Sequence, residues 1–311
     1  MKKVFLNRKP VEGPWGGGNK TVKMLEKFIK NDKDLLLTYN LKDKDIDVIL
    51  CVDPKPDNNG IWYQDFINYK NNINKNTKIL QRVGDVGSHR SLDLKKLITK
   101  SANFSDFVIF PSNWSKDYIK FNKKNYSIIE NQPISTFYKS NKNKKSNKIN
   151  LITHHWSNNP KKGFEIYSFL GKCISNNVKG FENITFTYIG RFNESYSKEG
   201  INIISPKHQD ELANLLPNFD VYITASEEEA GANHVLEGLA AGLPVLFKDN
   251  GGSINEYCFK YGLSFKGKSD LLEAIKAISD SLSFYSYLTK NRPKENLENQ
   301  IKKYIKIIKE I

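Results

Sequence analysis

At 311 residues the chain is long for one compact core, because single cores stop growing near about 250–300 residues, so two domains of roughly 150 residues each are the first expectation. With 39% apolar and 12% aromatic residues it can fill two cores, which excludes a disordered chain, and no apolar run approaches the roughly 20 residues that span a bilayer. The net charge of +14 points to a polyanionic partner or to composition alone; composition is the expectation, since only five of the 48 basic residues are arginine and lysine is accompanied by abundant Asn and Ile.

The first eight residues turn polar after three apolar ones, so they lack the apolar stretch of a signal peptide. Cys51, Cys173 and Cys258 are too widely spaced for a disulfide framework or a zinc site. A soluble, cytoplasmic protein is expected.

The first strand, over residues 3–6, leads through Gly13-Pro14-Trp15-Gly16-Gly17-Gly18-Asn19 into a helix over 19–29. Consecutive glycines such as Gly17 and Gly18 let a backbone approach a ligand closely, and a helix start favours an anion. Further strands are predicted over 35–38, 48–52, 78–83, 107–110 and 126–129, with helices over 91–103 and 113–121. Short β-branched runs alternating with helix-length periodic segments predict an α/β class with parallel sheets. The strand over 78–83 ends in Gln81-Arg82-Val83-Gly84-Asp85, and ligands of such sheets sit beyond the carboxyl ends of strands. Arg82 is therefore a candidate for phosphate and Asp85 for orienting or deprotonating a hydroxyl, with a structural salt bridge between them as the alternative.

Residues 139–148, Lys-Ser-Asn-Lys-Asn-Lys-Lys-Ser-Asn-Lys, contain nothing to bury and read as a linker between domains at 1–138 and 149–311. After it the pattern restarts: a strand over 149–153, a helix from about 161, strands over 184–189 and 201–204, a helix over 208–216 and a strand over 219–224. Residues 295–311 carry apolar side chains at helical intervals among lysines, an amphipathic helix counted with the second domain.

Residues 219–256 are the most informative, reading as strand, acidic loop, helix, tight turn, strand and glycine turn. Glu229 lies on the loop, Asn233 is a candidate N-cap, Glu237 sits about one turn into the helix, and Gly242 and Pro244 mark its end and the next strand. Such a loop aims backbone N–H groups and the positive end of a helix at one point, where a diphosphate is stabilised without a metal. Two carboxylates there can accept hydrogen bonds from sugar and ribose hydroxyls. The alternative is a solvated loop at 227–229 and a helix-surface acid at 237.

This stretch resembles the donor-binding signature of the retaining GT-B glycosyltransferases, family 4 in particular. In that family two glutamates separated by seven residues are followed by a small-residue helix, Gly-x-Pro-Val and a Gly-Gly-x-x-Glu turn. Here these are Glu229, Glu237, Gly242-Leu243-Pro244-Val245 and Gly251-Gly252-Ser253-Ile254-Asn255-Glu256. The segment Thr153-His154-His155-Trp156-Ser157-Asn158-Asn159-Pro160-Lys161-Lys162-Gly163-Phe164 resembles the family's strand-loop-helix ending in Lys-Gly, and Phe104 to Trp114 its late first-domain strand.

The resemblance implies two Rossmann-like domains with mostly parallel sheets facing a central cleft. It also implies that a sugar passes from a nucleotide sugar to a hydroxyl acceptor. Glu229 would touch the donor sugar and Glu237 the ribose, while the backbone of Ala230, Gly231, Ala232, Asn233 and His234 would meet sugar and diphosphate. Lys162 would neutralise phosphate. The family's arginine five residues earlier is Ser157 here, so His154 or His155 could take part of that role, and Arg191 is counted among the donor-binding residues. No metal or cofactor is expected besides the nucleotide sugar. The acceptor is left open among glycan, small molecule and modified nucleic acid. The alternative readings are an epimerase or phosphorylase of the same fold and a nucleic-acid-binding protein.

Overall fold

The computed structural model describes residues 1–11, 17–89, 91–138 and 148–311. Residues 13–16 of the glycine-rich segment, Arg90, and 139–147 of the expected linker lie outside the described residues. The chain divides into two compact units, one formed by Met1–Asn131 with Asn296–Ile311 and the other by Gln132–Glu295.

Unit 1 runs β1 (Lys2–Leu6), α1 (Gly17–Asn31), β2 (Leu35–Thr38), β3 (Val48–Cys51), α2 (Tyr63–Asn72), β4 (Lys78–Arg82), α3 (Leu92–Phe104), β5 (Phe107–Phe110), α4 (Asn113–Tyr118) and β6 (Tyr126–Ile128). The strands form one sheet in the order β2-β1-β3-β4-β5-β6, every pair parallel. All four residues of β3 are buried, as a strand covered on both faces requires.

Unit 2 runs β7 (Ile149–His155), a 3₁₀ turn (Pro160–Lys162), α5 (Phe164–Ser175), β8 (Ile184–Gly190), β9 (Asn202–Ile204), α6 (Gln209–Leu215), β10 (Val221–Thr224), α7 (Asn233–Ala240), β11 (Val245–Lys248), α8 (Ser253–Cys258), β12 (Gly262–Phe265), α9 (Leu271–Asp280) and α10 (Leu282–Lys290). Its six strands are again parallel, in the order β12-β11-β10-β7-β8-β9. Side-chain alternation splits its core into two layers: Tyr222 packs with Leu236, Leu239 and Val245 on one face, while Val221 and Ile223 pack with Phe164, Tyr167 and Phe186 on the other. The two sheets are those expected from the alternating pattern.

The last helix, α11 (Leu297–Glu310), departs from the sequence reading, which counted it with the second domain. It packs on α1 in unit 1, with Leu297, Ile301, Tyr304, Ile305 and Ile308 buried. Lys2 Nζ donates to the carbonyls of Lys309 at 2.7 Å and Ile311 at 2.9 Å. Periodicity fixes which face of a helix is apolar but carries no information about which sheet covers it.

Candidate functional site

In unit 2 the chain lays down β7, β8 and β9 in one direction and then returns to place β10 on the other side of β7. The strand order therefore reverses between β7 and β10, and a crevice beyond the carboxyl ends of strands is expected at such a reversal. His154 and His155 end β7, two residues beyond the predicted strand, and the 225–232 loop leaves β10 toward α7.

That loop is not the solvated acidic turn the composition allowed. Lys162 Nζ lies 2.5 Å from Glu229 Oε1, with side chains only 14% and 13% exposed. Lys161 pairs with Glu228 at 2.5 Å, and Lys248 with Glu227. All three acids are thus met by lysines from the 3₁₀ turn and β11. The backbone is fixed as well: Glu227 N–H donates to Lys161 O (2.9 Å), Glu229 N–H to Gly251 O (3.0 Å) and Ser253 N–H to Glu229 O (2.9 Å). Glu228 adopts φ 50, a left-handed conformation that costs a non-glycine residue on the order of 1–2 kcal/mol and persists only where surroundings enforce it.

Gly163 makes the approach of Lys162 to this loop possible. It sits at φ 89, and a Cβ there would fall 2.3 Å from Ala225 Cβ and 2.6 Å from its carbonyl. Only glycine lets the start of α5 press against the strand end.

Glu237, 5% exposed, faces back along α7 toward β7, where His154 Nε2 lies 2.8 Å from its Oε2. Tyr222 Oη lies 3.0 Å from His154 Nδ1 and accepts the His154 backbone N–H at 3.1 Å. With its proton on Nε2, the imidazole donates to the carboxylate and accepts from the tyrosine hydroxyl, so every donor finds an acceptor. Sequence reasoning named His154 and Glu237 separately but not Tyr222, because a tyrosine inside a strand carries the signal of a core residue. Burial drives the Tyr222 hydroxyl well above its ordinary pKa and holds it protonated.

His155 and His234 form a second layer. Their rings meet edge to face at 4.7 Å, His155 Nε2 lies 3.0 Å from Tyr167 Oη, and His234 Nε2 lies 3.0 Å from Thr224 Oγ1. Burial pushes His234 down to about 3, with Glu229 and Glu237 opposing and Lys162 and His154 assisting, so its ring is neutral near pH 7.

One site residue sits differently from the sequence reading. Ala232 (φ −75, ψ 87), not Asn233, is the N-cap of α7, because Ser253 Oγ accepts the Ala232 N–H at 3.0 Å and ends the loop there. Arg191, just past β8, lays its guanidinium 4.3 Å from the centroid of Trp156, and its backbone N–H donates to His155 O at 3.3 Å. Ser157 is exposed nearby on the loop after β7, where its hydroxyl accepts the Asn159 N–H at 3.2 Å.

The structure therefore brings His154, His155, Lys162, Glu229, Ala230, Gly231, Ala232, Asn233, His234 and Glu237 to one end of the unit 2 sheet. Gly17, Gly18 and Asp85 belong to unit 1, at the start of α1 and after β4. A Cβ at Gly18 would meet nothing within 4 Å, and Asp85 Oδ1 accepts the Gly87 N–H at 2.8 Å, closing its own turn. Among the described residues no cluster of His, Cys, Asp and Glu is arranged to hold a metal ion.

Two doubly wound, all-parallel sheets in one chain are the fold of the GT-B glycosyltransferases, and comparison with solved structures agrees. The chain is similar to HepE of Anabaena in complex with UDP-glucose (TM-score 0.70, 13% identity, all of both chains covered). It is also similar to the sucrose-phosphate synthase of Thermosynechococcus elongatus (0.69, 12%, 100% of this chain and 99% of that one). TarM of S. aureus matches with TM-score 0.62 and 14% identity over 93% of this chain, which spans 58% of the TarM chain. No protein-family model and no curated protein matches the sequence. At 12–14% identity the likeness is one of fold.

Proposed function

We propose that the protein is a retaining glycosyltransferase of the family 4 type, transferring a sugar from a nucleoside diphosphate donor to a hydroxyl acceptor. The observation that carries this reading is the pair of glutamates with seven residues between them around the start of α7. Glu229 is held by Lys162 and Glu237 by His154, at the reversal point of a parallel sheet. UDP-linked sugars are the first donors to try, because HepE has been solved with UDP-glucose and with UDP and glucose.

In this reading the diphosphate lies against the first turn of α7, whose N–H groups point out of the helix. Lys162 exchanges Glu229 for a phosphate oxygen, and the released carboxylate turns to the hydroxyls of the donor sugar. Glu237, anchored by His154, is the proposed carboxylate for the ribose hydroxyls. Arg191, stacked on Trp156, adds the cation that Ser157 does not supply.

The acceptor oxygen forms its bond to the anomeric carbon on the face from which the diphosphate departs, while the carbon–oxygen bond to phosphate breaks and the acceptor's proton passes to the leaving phosphate oxygen. Asp85 is the proposed acceptor-side carboxylate. No enzyme nucleophile is required, and helix N–H groups with Lys162 take the place of a metal. A cytoplasmic location belongs to the same proposal, since Cys51, Cys173 and Cys258 are buried free thiols with no need of an oxidising compartment.

The stereochemical part is tested by proton NMR of the product. The anomeric configuration of an α-linked donor is expected to be kept. An inverted product contradicts the retaining mechanism and leaves the donor site to be judged separately.

A further inference from the structure

Strand β4 ends in Arg82, a side chain that departs from the usual rule for buried arginine. The residue is 6% exposed, and among the described residues its one hydrogen bond runs from Nη2 to Asn131 Oδ1 at 3.0 Å. Its Nε is fully buried with no hydrogen-bond partner. Asp85, three residues on, spends Oδ1 on the Gly87 N–H and forms no salt bridge with Arg82, so the structural pair allowed by the sequence is replaced. Asn131 Oδ1 is shared with Gln300 Nε2 of α11 at 3.4 Å, which leaves a neutral amide oxygen as the acceptor for the guanidinium.

A guanidinium cannot shed its proton, and burying an unpaired ion costs several kcal/mol. Structural arginines in protein interiors meet a carboxylate or a full set of carbonyls; among the described residues Arg82 meets neither. Its Nη1 lies where the side chain of residue 84 would stand, 2.1 Å from the Cβ position of Gly84, and Gly84 is exposed. The guanidinium thus reaches the surface across a glycine at the carboxyl end of the sheet, where ligands of parallel sheets bind. The surrounding charge agrees: bases exceed acids in unit 1, whereas acids outnumber bases over residues 149–295.

We infer that Arg82 anchors an oxyanion, a phosphate or carboxylate carried by the acceptor, so that this transferase acts on an anionic acceptor. Only the word acceptor rests on the glycosyltransferase reading; the anion site stands on Arg82 itself. A planar guanidinium with free N–H groups takes such an oxyanion through two parallel hydrogen bonds, which a lysine would not reproduce.

The test is thermal stabilisation at constant ionic strength by inorganic phosphate, by glucuronate and by UDP, on the wild type, Arg82→Met and Gly84→Ala. Arg82→Met removes the charge at similar length, and Gly84→Ala displaces the guanidinium while keeping it. Phosphate or glucuronate is expected to stabilise the wild type saturably, with apparent affinity at least tenfold weaker in both variants. UDP stabilisation is expected to stay within twofold in all three. In chloride alone, Arg82→Met is expected to be at least as stable as the wild type. The inference is overturned if neither anion stabilises the wild type, if both variants keep the anion response, or if Arg82→Met is destabilised in chloride. Loss of the UDP response together with the anion response would assign Arg82 to the donor instead. A wild type that responds to phosphate but not to UDP upholds the anion site and sinks the proposed donor site.

Discussion

At the scale of single residues, the account separates Glu229 from Glu237. Glu237 is held on α7 by His154, and losing a hydrogen bond to a charged group costs about 1.5–3 kcal/mol, so Glu237→Ala is expected to weaken nucleoside diphosphate binding roughly ten- to a hundredfold. Glu229 is paired with Lys162 in the donor-free protein. Glu229→Gln releases that lysine and is expected to lower kcat while leaving donor KM unchanged or smaller. Steady-state kinetics of both variants checks this split; values of kcat and KM within twofold of wild type for both would contradict the roles. His234 makes a separate prediction. Its folded pKa, near 3, lies below the ordinary 6.5, so the unfolded chain takes up a proton first and stability falls as pH drops below 6.5, by up to about 1.4 kcal/mol per pH unit. In melting curves between pH 7 and 4, His234→Asn should show a shallower acid limb than the wild type, and an unchanged slope would show that His234 is not the group responsible. Glu229 and Glu237 could be proposed together from the sequence because they stand on one loop and helix, whereas Lys162, far away in the chain, entered only through the family resemblance. The lysine partners of Glu227 and Glu228, and the Tyr222 link to His154, were not legible, because they join residues far apart in the chain.

At the scale of elements, most strands were legible to within two residues, since buried runs such as β3 leave little choice of boundary, but the edge strand β12 and helix α2 were not read. β7 runs two residues further than predicted because histidine has no strong strand signal, and those two residues are the ones that reach the site. The docking of α11 was not legible, for its apolar stripe would suit any apolar surface. The turn before α5 is where an element controls the site. Gly163→Ala introduces a Cβ at φ 89 against the Ala225 backbone, so a loss of at least about 1–2 kcal/mol is expected, with Lys162 shifted away from Glu229. Urea denaturation followed by nucleotide titration measures both effects. A variant as stable as the wild type, binding nucleotide as tightly, would show that this close approach does not organise the site.

At the scale of the whole molecule, the charge that composition seemed to explain is unevenly placed. A uniform coding bias would spread lysine over both units, yet the positive excess belongs to unit 1 and residues 139–148, while the unit that carries the glutamate loop is nearly balanced. Length and composition could announce two domains but not this division, which depends on where the chain returns to unit 1 through α11. No helix among the described residues is long and apolar enough to cross a membrane. The central claim is that the end of the unit 2 sheet binds a nucleotide sugar and activates it for transfer. It is tested most directly by nucleoside diphosphate release from a panel of UDP-sugars, for the wild type, Lys162→Ala and Glu237→Ala, with and without EDTA. The account predicts that at least one UDP-sugar is turned over by the wild type, that EDTA leaves the rate unchanged, and that each substitution lowers kcat/KM at least about tenfold, a loss of about 1.4 kcal/mol or more. Turnover that survives both substitutions at the wild-type rate, or that requires a divalent metal, would contradict it.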